Sequence, residues 1–91
     1  MPYKVFVSRI FQKQFHQLQT SHQNRIRKAL YELCKDTYTS RSNCDIKALK
    51  ETHPKKYRLR VGNYRIIFFI EENVVNIIKL LKRERGYSRL E

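Results

Sequence analysis

The sequence predicts an α+β fold in which two helices pack on one sheet. Apolar residues recur at helical spacing between residues 8 and 33, whereas residues 57–82 alternate in polarity or are rich in Val and Ile. A chain of 91 residues with 41% hydrophobic content can bury one core of modest size. We therefore expect a single domain over residues 1–91, with an N-terminal strand, a two-helix hairpin and then a three-stranded antiparallel meander.

The N-terminal residues predict a short strand and an amphipathic helix. Residues 3–7 (YKVFV) are β-branched or aromatic, which is typical of a strand. Ser8 is a suitable N-cap, because its hydroxyl can accept a hydrogen bond from the first helical turn. The apolar positions of the first helix are Ile10 or Phe11, Phe15 and Leu18.

A second helix is expected to begin at Thr20–Ser21, where polar residues interrupt the apolar pattern and can cap a helix. Its apolar stripe has the spacing i, i+3, i+4, i+7 and consists of Ile26, Ala29, Leu30 and Leu33. Residues 36–45 form a polar connection. After it, Ile46 and Leu49 are expected to anchor the segment that leads into the meander.

The first strand of the meander has one apolar and one cationic face. Tyr57, Leu59 and Val61 alternate with Arg58 and Arg60, and a period of two residues is the signature of a strand that is buried on one side. The two arginines are therefore expected to lie together on the opposite face of the sheet.

A tight turn continues this pattern into the second strand. Gly62 and Asn63 tolerate the positive φ that a two-residue hairpin loop requires, and residues 64–70 (YRIIFFI) then read as a strand. With that loop length, Arg60 lies opposite Arg65. Like charges at opposite positions are destabilising, so the arrangement indicates that the arginines reach water or that an anion binds among them.

The third strand is less regular. Its polar residues fall at positions 76, 79 and 82, a spacing nearer to that of a helix. The Val and Ile content and the Glu72–Asn73 turn before it favour a strand, and a β-bulge would decide the direction of Lys79.

Composition restricts the possible partners. The chain has 20 Lys and Arg against 8 Asp and Glu, a net charge of +12, which points to RNA, DNA, an acidic protein or an anionic membrane. Cys34 and Cys44 are too few for a disulfide framework and lack the partners of a zinc site, so we expect reduced thiols and no metal or cofactor. No apolar run is long enough for a signal peptide or a membrane span, which predicts a cytoplasmic protein.

Three motifs carry a resemblance to a known family. They are DIKALK at 45–50, YRLRVGNYRIIF at 57–68 and KRERGY at 82–87. Together with the order of elements, they resemble the RelE/ParE toxin superfamily over nearly the whole chain. The ending KRER with a nearby tyrosine is similar to the RelE branch, whose members are ribosome-dependent endoribonucleases that cut messenger RNA in the decoding site. ParE toxins poison DNA gyrase instead.

The resemblance implies catalytic roles for five residues. Arg58 and Arg60 stand where RelE enzymes have basic residues near the scissile phosphate, and Arg65 matches a residue that orients the substrate. Arg83 matches the arginine of the KRER run, and Tyr87 matches a tyrosine that stacks on a nucleotide or takes part in proton transfer. Arginine cannot act as a general base at positions 58 and 60, because its guanidinium group stays protonated in proteins.

Further basic residues are expected to bind RNA without acting in the chemistry. These are Lys55, Lys56, Lys82 and Arg85. The three histidines, His16, His22 and His53, are expected on helix surfaces or in a loop and without a catalytic role. No general base is identified from the sequence.

The partners that the resemblance implies are the ribosome with its mRNA and an acidic, RelB-like antitoxin, with no membrane and no obligate small molecule. Two alternatives remain open: a gyrase inhibitor without nuclease activity, and a noncatalytic RNA-binding homologue. The arginines of the meander could also be an ordinary solvated sheet face, and Tyr87 could simply pack against the sheet.

Overall fold

The computed structural model describes residues 3–37, 40–41, 44–50 and 55–82. In chain order the elements are β1 (Lys4–Val7), α1 (Arg9–His16), α2 (Thr20–Leu33), β2 (Asp45–Ala48), β3 (Tyr57–Val61), β4 (Tyr64–Glu71) and β5 (Val74–Lys82). The strands form one sheet in the order β1-β5-β4-β3-β2, with β1 parallel to β5 and the other pairs antiparallel. The predicted α+β class with a helix hairpin on one sheet is confirmed.

One strand was not predicted. The segment around Ile46 was expected only to anchor the chain, but Asp45–Ala48 pairs with β3 and extends the meander to four antiparallel strands. Ile46 is buried, so it does anchor the chain, although it does so from within the sheet. Four residues are too short for a periodic pattern to distinguish a strand from a loop.

The two helices begin differently. Ser8 caps α1 as expected, since its Oγ accepts a hydrogen bond from the Phe11 N–H at 3.0 Å. The expectation that Thr20 or Ser21 caps α2 was wrong, because the helix already includes Thr20 and the cap position is Gln19, which makes no side-chain capping bond. The first turn of α2 also lacks an acidic residue.

The core lies between the helices and one face of the sheet. The sequence left Ile10 and Phe11 as alternatives, and the structure buries Phe11 while leaving Ile10 61% exposed. The stripe of α2 packs as predicted, with Ile26 and Leu33 fully buried and the two residues between them partly so. From the sheet, the buried core contributions are Ile46, Leu59, Val61, Tyr64, Ile66, Phe68, Val75, Ile77 and Leu80.

The β3–β4 turn has the predicted length. Gly62 has φ +58°, a backbone conformation that favours glycine. A Cβ at this position would lie 2.8 Å from Nη2 of Arg25, but that atom is the end of a flexible side chain that can move aside. The resulting register places Arg60 opposite Arg65 and Val61 opposite Tyr64.

The β-bulge expected in the third strand is present in β5. Its register against β4 shifts between Ile67 and Phe68, so Ile67 pairs with Lys79 and Phe68 pairs with Ile77. Ile78 is the extra residue. Lys79 thereby turns to the face of the sheet that lies away from the helices.

Side chains of α1 and its cap cover the part of β5 that extends beyond β1. The Ser8 hydroxyl donates to the Ile78 carbonyl, and the Gln14 amide group both donates to the Leu80 carbonyl at 2.8 Å and accepts from the Leu80 N–H at 2.7 Å. Gln14 thus supplies the two hydrogen bonds that a neighbouring strand would make. Among the described residues, no helix is long and apolar enough to cross a membrane.

Candidate nucleic-acid interface

The sheet face opposite the helices carries two rows of side chains that cross four strands. Successive pairings align Lys47 of β2, Arg58 of β3, Ile67 of β4 and Lys79 of β5 in the first row. The second row consists of Asp45, Arg60, Arg65 and Leu81. We call these eight residues the arginine face. It has five cationic side chains and one carboxylate.

Two of its guanidinium groups are withdrawn from solvent. Arg58 is only 7% exposed and Arg65 only 8%, and Ile67 between them in the sheet is 4% exposed. Arg60 is nearly half exposed and lies directly opposite Arg65. The guanidinium groups therefore hold positive charge on this face in a partly desolvated setting.

Asp45 holds two of the arginines in place. Its Oδ1 lies 3.4 Å from Nη1 of Arg58, and its Oδ2 lies 3.9 Å from Nε of Arg60. Nη1 of Arg58 also donates to the Asp45 main-chain carbonyl at 3.4 Å. The carboxylate is 45% exposed, so each ion pair contributes modestly, about 0.2–1 kcal/mol. The main effect of the Asp45 carboxylate is to orient the guanidinium groups of Arg58 and Arg60. The arginine face as a whole remains cationic.

The structure brings together three of the five predicted catalytic residues. Arg58, Arg60 and Arg65 are neighbours on the arginine face, as the alternating pattern indicated. Arg83, Arg85 and Tyr87 lie outside the described residues. The catalytic roles assigned by resemblance therefore stay predictions.

The predicted RNA-binding lysines are dispersed. Lys55 and Lys56 precede β3, with Lys55 exposed and the Lys56 carbonyl accepting from the Leu49 N–H at 2.9 Å. Lys82 pairs with Tyr64, whose side chain belongs to the core, so Lys82 extends from the helix-bearing face of the sheet. It lies apart from the arginines.

Sequence reasoning missed two lysines on the arginine face. Lys47 was missed because β2 was not recognised, although the alternation of Asp45 and Lys47 with buried Ile46 was a usable signal. Lys79 was left undecided, because the position of a bulge cannot be read from spacing. Both lysines are exposed at the ends of the first row.

Comparison with known proteins identifies the family. The model for the ParE toxin of the type II toxin–antitoxin system parDE matches residues 5–87. The chain belongs to the RelE/ParE toxin superfamily. It is thus a type II toxin. A comparison with curated protein sequences found no match.

The toxin is similar in structure to RelE proteins solved with their antitoxins. The archaeal RelE–RelB complex from Pyrococcus horikoshii OT3 matches with 28% identity and a TM-score of 0.80, covering 94% of this chain and all of that one. The RelB–RelE complex from Methanococcus jannaschii matches with 26% identity and a TM-score of 0.71, covering 94% and 99%. The fold is shared by a RelBE complex from Mycobacterium tuberculosis, which matches with 20% identity and a TM-score of 0.76. The match covers 91% of this chain and 100% of that one. The two archaeal matches, at 28% and 26% identity, make the toxin RelE-like in structure.

A second basic surface of the toxin lies beside α2. An open cleft of about 680 Å³ separates this helix from β2 and β3. Its cationic lining residues are Arg25, Arg27, Lys28 and Arg60. Ala29 and Val61 give it apolar lining, and Tyr31 at its side is 68% exposed. Arg60 therefore belongs both to this cleft and to the arginine face.

The cysteines of the toxin do not have the properties of nucleophiles. Both are free thiols, and burial raises the pKa of Cys34 and of Cys44 above the ordinary value. A raised pKa reduces the thiolate fraction, which is the reactive form. Within the described ranges, no group of three His, Cys, Asp or Glu side chains could hold a metal ion.

Proposed function

We propose that this toxin is a metal-independent endoribonuclease that cleaves mRNA in the ribosomal A site and so inhibits translation, acting in the cytoplasm. The observation that carries the proposal is the arginine face, where Arg58, Arg60 and Arg65 are adjacent and two of them are more than nine-tenths buried. A face needed only for folding gains nothing from opposed like charges.

The chemistry requires stabilisation of negative charge at phosphorus. The RNA 2′-oxygen attacks the adjacent phosphate, the O2′–P bond forms and the P–O5′ bond breaks, and the 2′-hydroxyl proton is lost as the 5′-oxygen gains one. Negative charge accumulates on the pentacoordinate phosphate between these steps. Guanidinium groups fixed by the sheet and by Asp45 suit this task, because they donate paired hydrogen bonds without reorganising.

We also propose that an acidic, RelB-like antitoxin binds the toxin. Two complexes that share 26% and 28% identity with this chain are described as RelE bound to RelB. The net charge of +12 favours an acidic partner, since complementary charge accelerates and orients association. The basic cleft beside α2, with its apolar lining, has the chemistry that such a partner would contact.

Ribosomes programmed with a defined mRNA test the nuclease proposal. Wild-type toxin should cut the message within the A-site codon, and Arg65→Gln should lower the cleavage rate by about 10²- to 10³-fold. Lys4→Gln is the control of equal charge change, because Lys4 is exposed on β1 and pairs with Val74, at the end of the sheet far from Arg65. It should cleave as the wild type does. Intact message after incubation with the wild-type toxin would refute the proposal.

The family model favours a second candidate, because the description it carries is that of a ParE toxin. A gyrase inhibitor should block DNA supercoiling by purified gyrase and leave ribosome-bound mRNA intact. The noncatalytic alternative predicts neither effect, together with RNA binding that weakens steeply as salt is raised. The two assays, run on one preparation, separate all three functions.

A further inference from the structure

A polar pocket lies on the helix-bearing side of the sheet, away from the arginine face. It has a volume of about 480 Å³, within the range of about 300–1,000 Å³ that is usual for ligand sites. The turn between α1 and α2 forms one side, and the ends of β4 and β5 form the other. The side chains used in the argument are Gln17, Gln19, His22, Tyr64 and Lys82.

Tyr64 gives the clearest indication of a ligand. Only 9% of Tyr64 is exposed, and the residue lines the pocket. Its hydroxyl is not among the buried polar atoms of the described residues that lack a partner, so it is open to water or to a ligand in the pocket. The ring of His22 packs edge-on against the Tyr64 ring at 5.4 Å, which fixes the orientation of both rings at the pocket wall.

The pocket also favours negative charge. The N-terminus of α2 opens at Gln19, where no side chain caps the free amides and no acidic residue occupies the first turn. Such a terminus carries partial positive charge. Lys82 adds an exposed ammonium group, for which the described residues offer no ion-pair partner, and the pocket lining contains no carboxylate.

We propose that this pocket binds one nucleotide of the same RNA strand that contacts the arginine face. The phosphate would lie between Lys82, the amides at the start of α2 and the Tyr64 hydroxyl. The side-chain amides of Gln17 and Gln19 and the imidazole of His22 supply donors and acceptors for a base or ribose. This proposal rests on the proposed nuclease function, because it assigns an additional subsite to that substrate.

The position of the pocket connects it with the arginines. Tyr64 and Arg65 are consecutive in β4, and Leu81 and Lys82 are consecutive in β5, so each pair places one residue on either side of the sheet. The pocket and the Arg60–Arg65 pair therefore occupy opposite sides of the same end of the sheet. An RNA strand that passes around this end can contact both.

Binding of a single-stranded RNA tetranucleotide, measured over a range of salt concentrations, tests the proposal. For single strands, each phosphate contact contributes about 0.7 to the slope of log affinity against log salt concentration. Lys82→Gln should reduce the slope by about that amount. Lys4→Gln removes an exposed cation at the other end of the sheet and should leave the slope unchanged.

Tyr64→Phe separates the hydroxyl from the ring. It keeps the buried aromatic packing and should leave the thermal melt unchanged, while RNA affinity falls by about fivefold, the usual effect of one lost hydrogen bond. Inorganic phosphate and adenosine monophosphate, used as competitors, distinguish a free anion or nucleotide from a strand. If phosphate or adenosine monophosphate displaces the tetranucleotide when both are present at the same concentration, the site is specific for the free ligand. The proposal that it binds a strand is then overturned.

Two outcomes keep this inference separate from the nuclease proposal. If the wild type cleaves mRNA on ribosomes while Lys82→Gln and Tyr64→Phe bind the tetranucleotide normally, the pocket assignment is wrong and the nuclease stands. If both variants weaken RNA binding and the wild type fails to cleave, the pocket stands and the nuclease proposal is wrong.

Discussion

Replacing Asp45 by Asn should make the toxin less stable and, at the same time, a better RNA binder. The carboxylate is within 3.4 Å of Arg58 and 3.9 Å of Arg60. Because the groups are partly exposed, each pair contributes about 0.2–1 kcal/mol. Loss of both should lower the unfolding free energy by about 0.5–2 kcal/mol, which corresponds to a fall in Tm of roughly 2–15 °C for a domain of this size.

The effect on RNA has the opposite sign. Asp45 is the one carboxylate among the eight residues of the arginine face, so its removal leaves five cations without an opposing charge there. Affinity for single-stranded RNA should rise at low salt, and the gain should shrink as ionic strength increases. If Asp45 had a purely structural role, its substitution would lower the unfolding free energy and the RNA affinity together.

Glu71→Gln is the matched control for this experiment. Glu71 points to the same side of β4 as Arg65, but it pairs with Val74 at the other end of the strand. Both substitutions remove one negative charge from the chain. Thermal melts and RNA titrations of the two variants then isolate the local effect. If both variants strengthen RNA binding equally, only net charge matters and the arginine face is not the RNA site.

Three further outcomes are expected. Arg83→Ala, chosen for its match to the arginine of the KRER run, should abolish growth inhibition with a Tm within a few degrees of the wild type; a collapsed melt would make Arg83 structural. Gln14→Ala should lower the unfolding free energy by about 2 kcal/mol in urea titrations, because two hydrogen bonds to Leu80 are lost, and an unchanged midpoint would contradict that role. Iodoacetamide should modify Cys34 and Cys44 more slowly in the folded toxin than in urea, and equal rates would argue against burial. Because burial raises both thiol pKa values, the two protonated thiols contribute to the unfolding free energy. This contribution is complete below about pH 8.5, the ordinary thiol pKa, and is lost as the pH rises through the raised pKa values of the folded toxin.

The sequence predicted those parts of the arginine face whose geometry is local. Alternation over Tyr57–Val61 and a two-residue turn at Gly62 determine the faces and the register of β3 and β4, so the proximity of Arg60 and Arg65 follows from spacing alone. Hydrophobic period also identified the buried stripe of α2. The helical period alone is enough to identify the stripe of α2. The strand period together with one turn is enough to identify the faces and register of β3 and β4.

Features that depend on distant pairing could not be predicted in the same way. β2 exists because Ile46 reaches the core and its backbone pairs with β3, which four residues cannot reveal by themselves. The direction of Lys79 depends on a bulge whose position is set by packing of Ile77 against the core. Consequently, both lysines at the ends of the first row were missed, while Arg58 of that row and the Arg60–Arg65 pair of the second row were found.

The described part of the arginine face also bears on how such an enzyme would work. Arginines and lysines can bind a phosphate and stabilise its developing charge, but an arginine does not accept a proton at neutral pH, and no histidine lies among the eight residues of this face. Catalysis by charge stabilisation alone depends strongly on the geometry of the reacting 2′-hydroxyl and phosphate. Fixing that geometry is worth about 7–11 kcal/mol in favourable intramolecular reactions. A ribosome that holds the codon in a bent conformation can supply this alignment, which is why programmed ribosomes, rather than free RNA, provide the decisive assay.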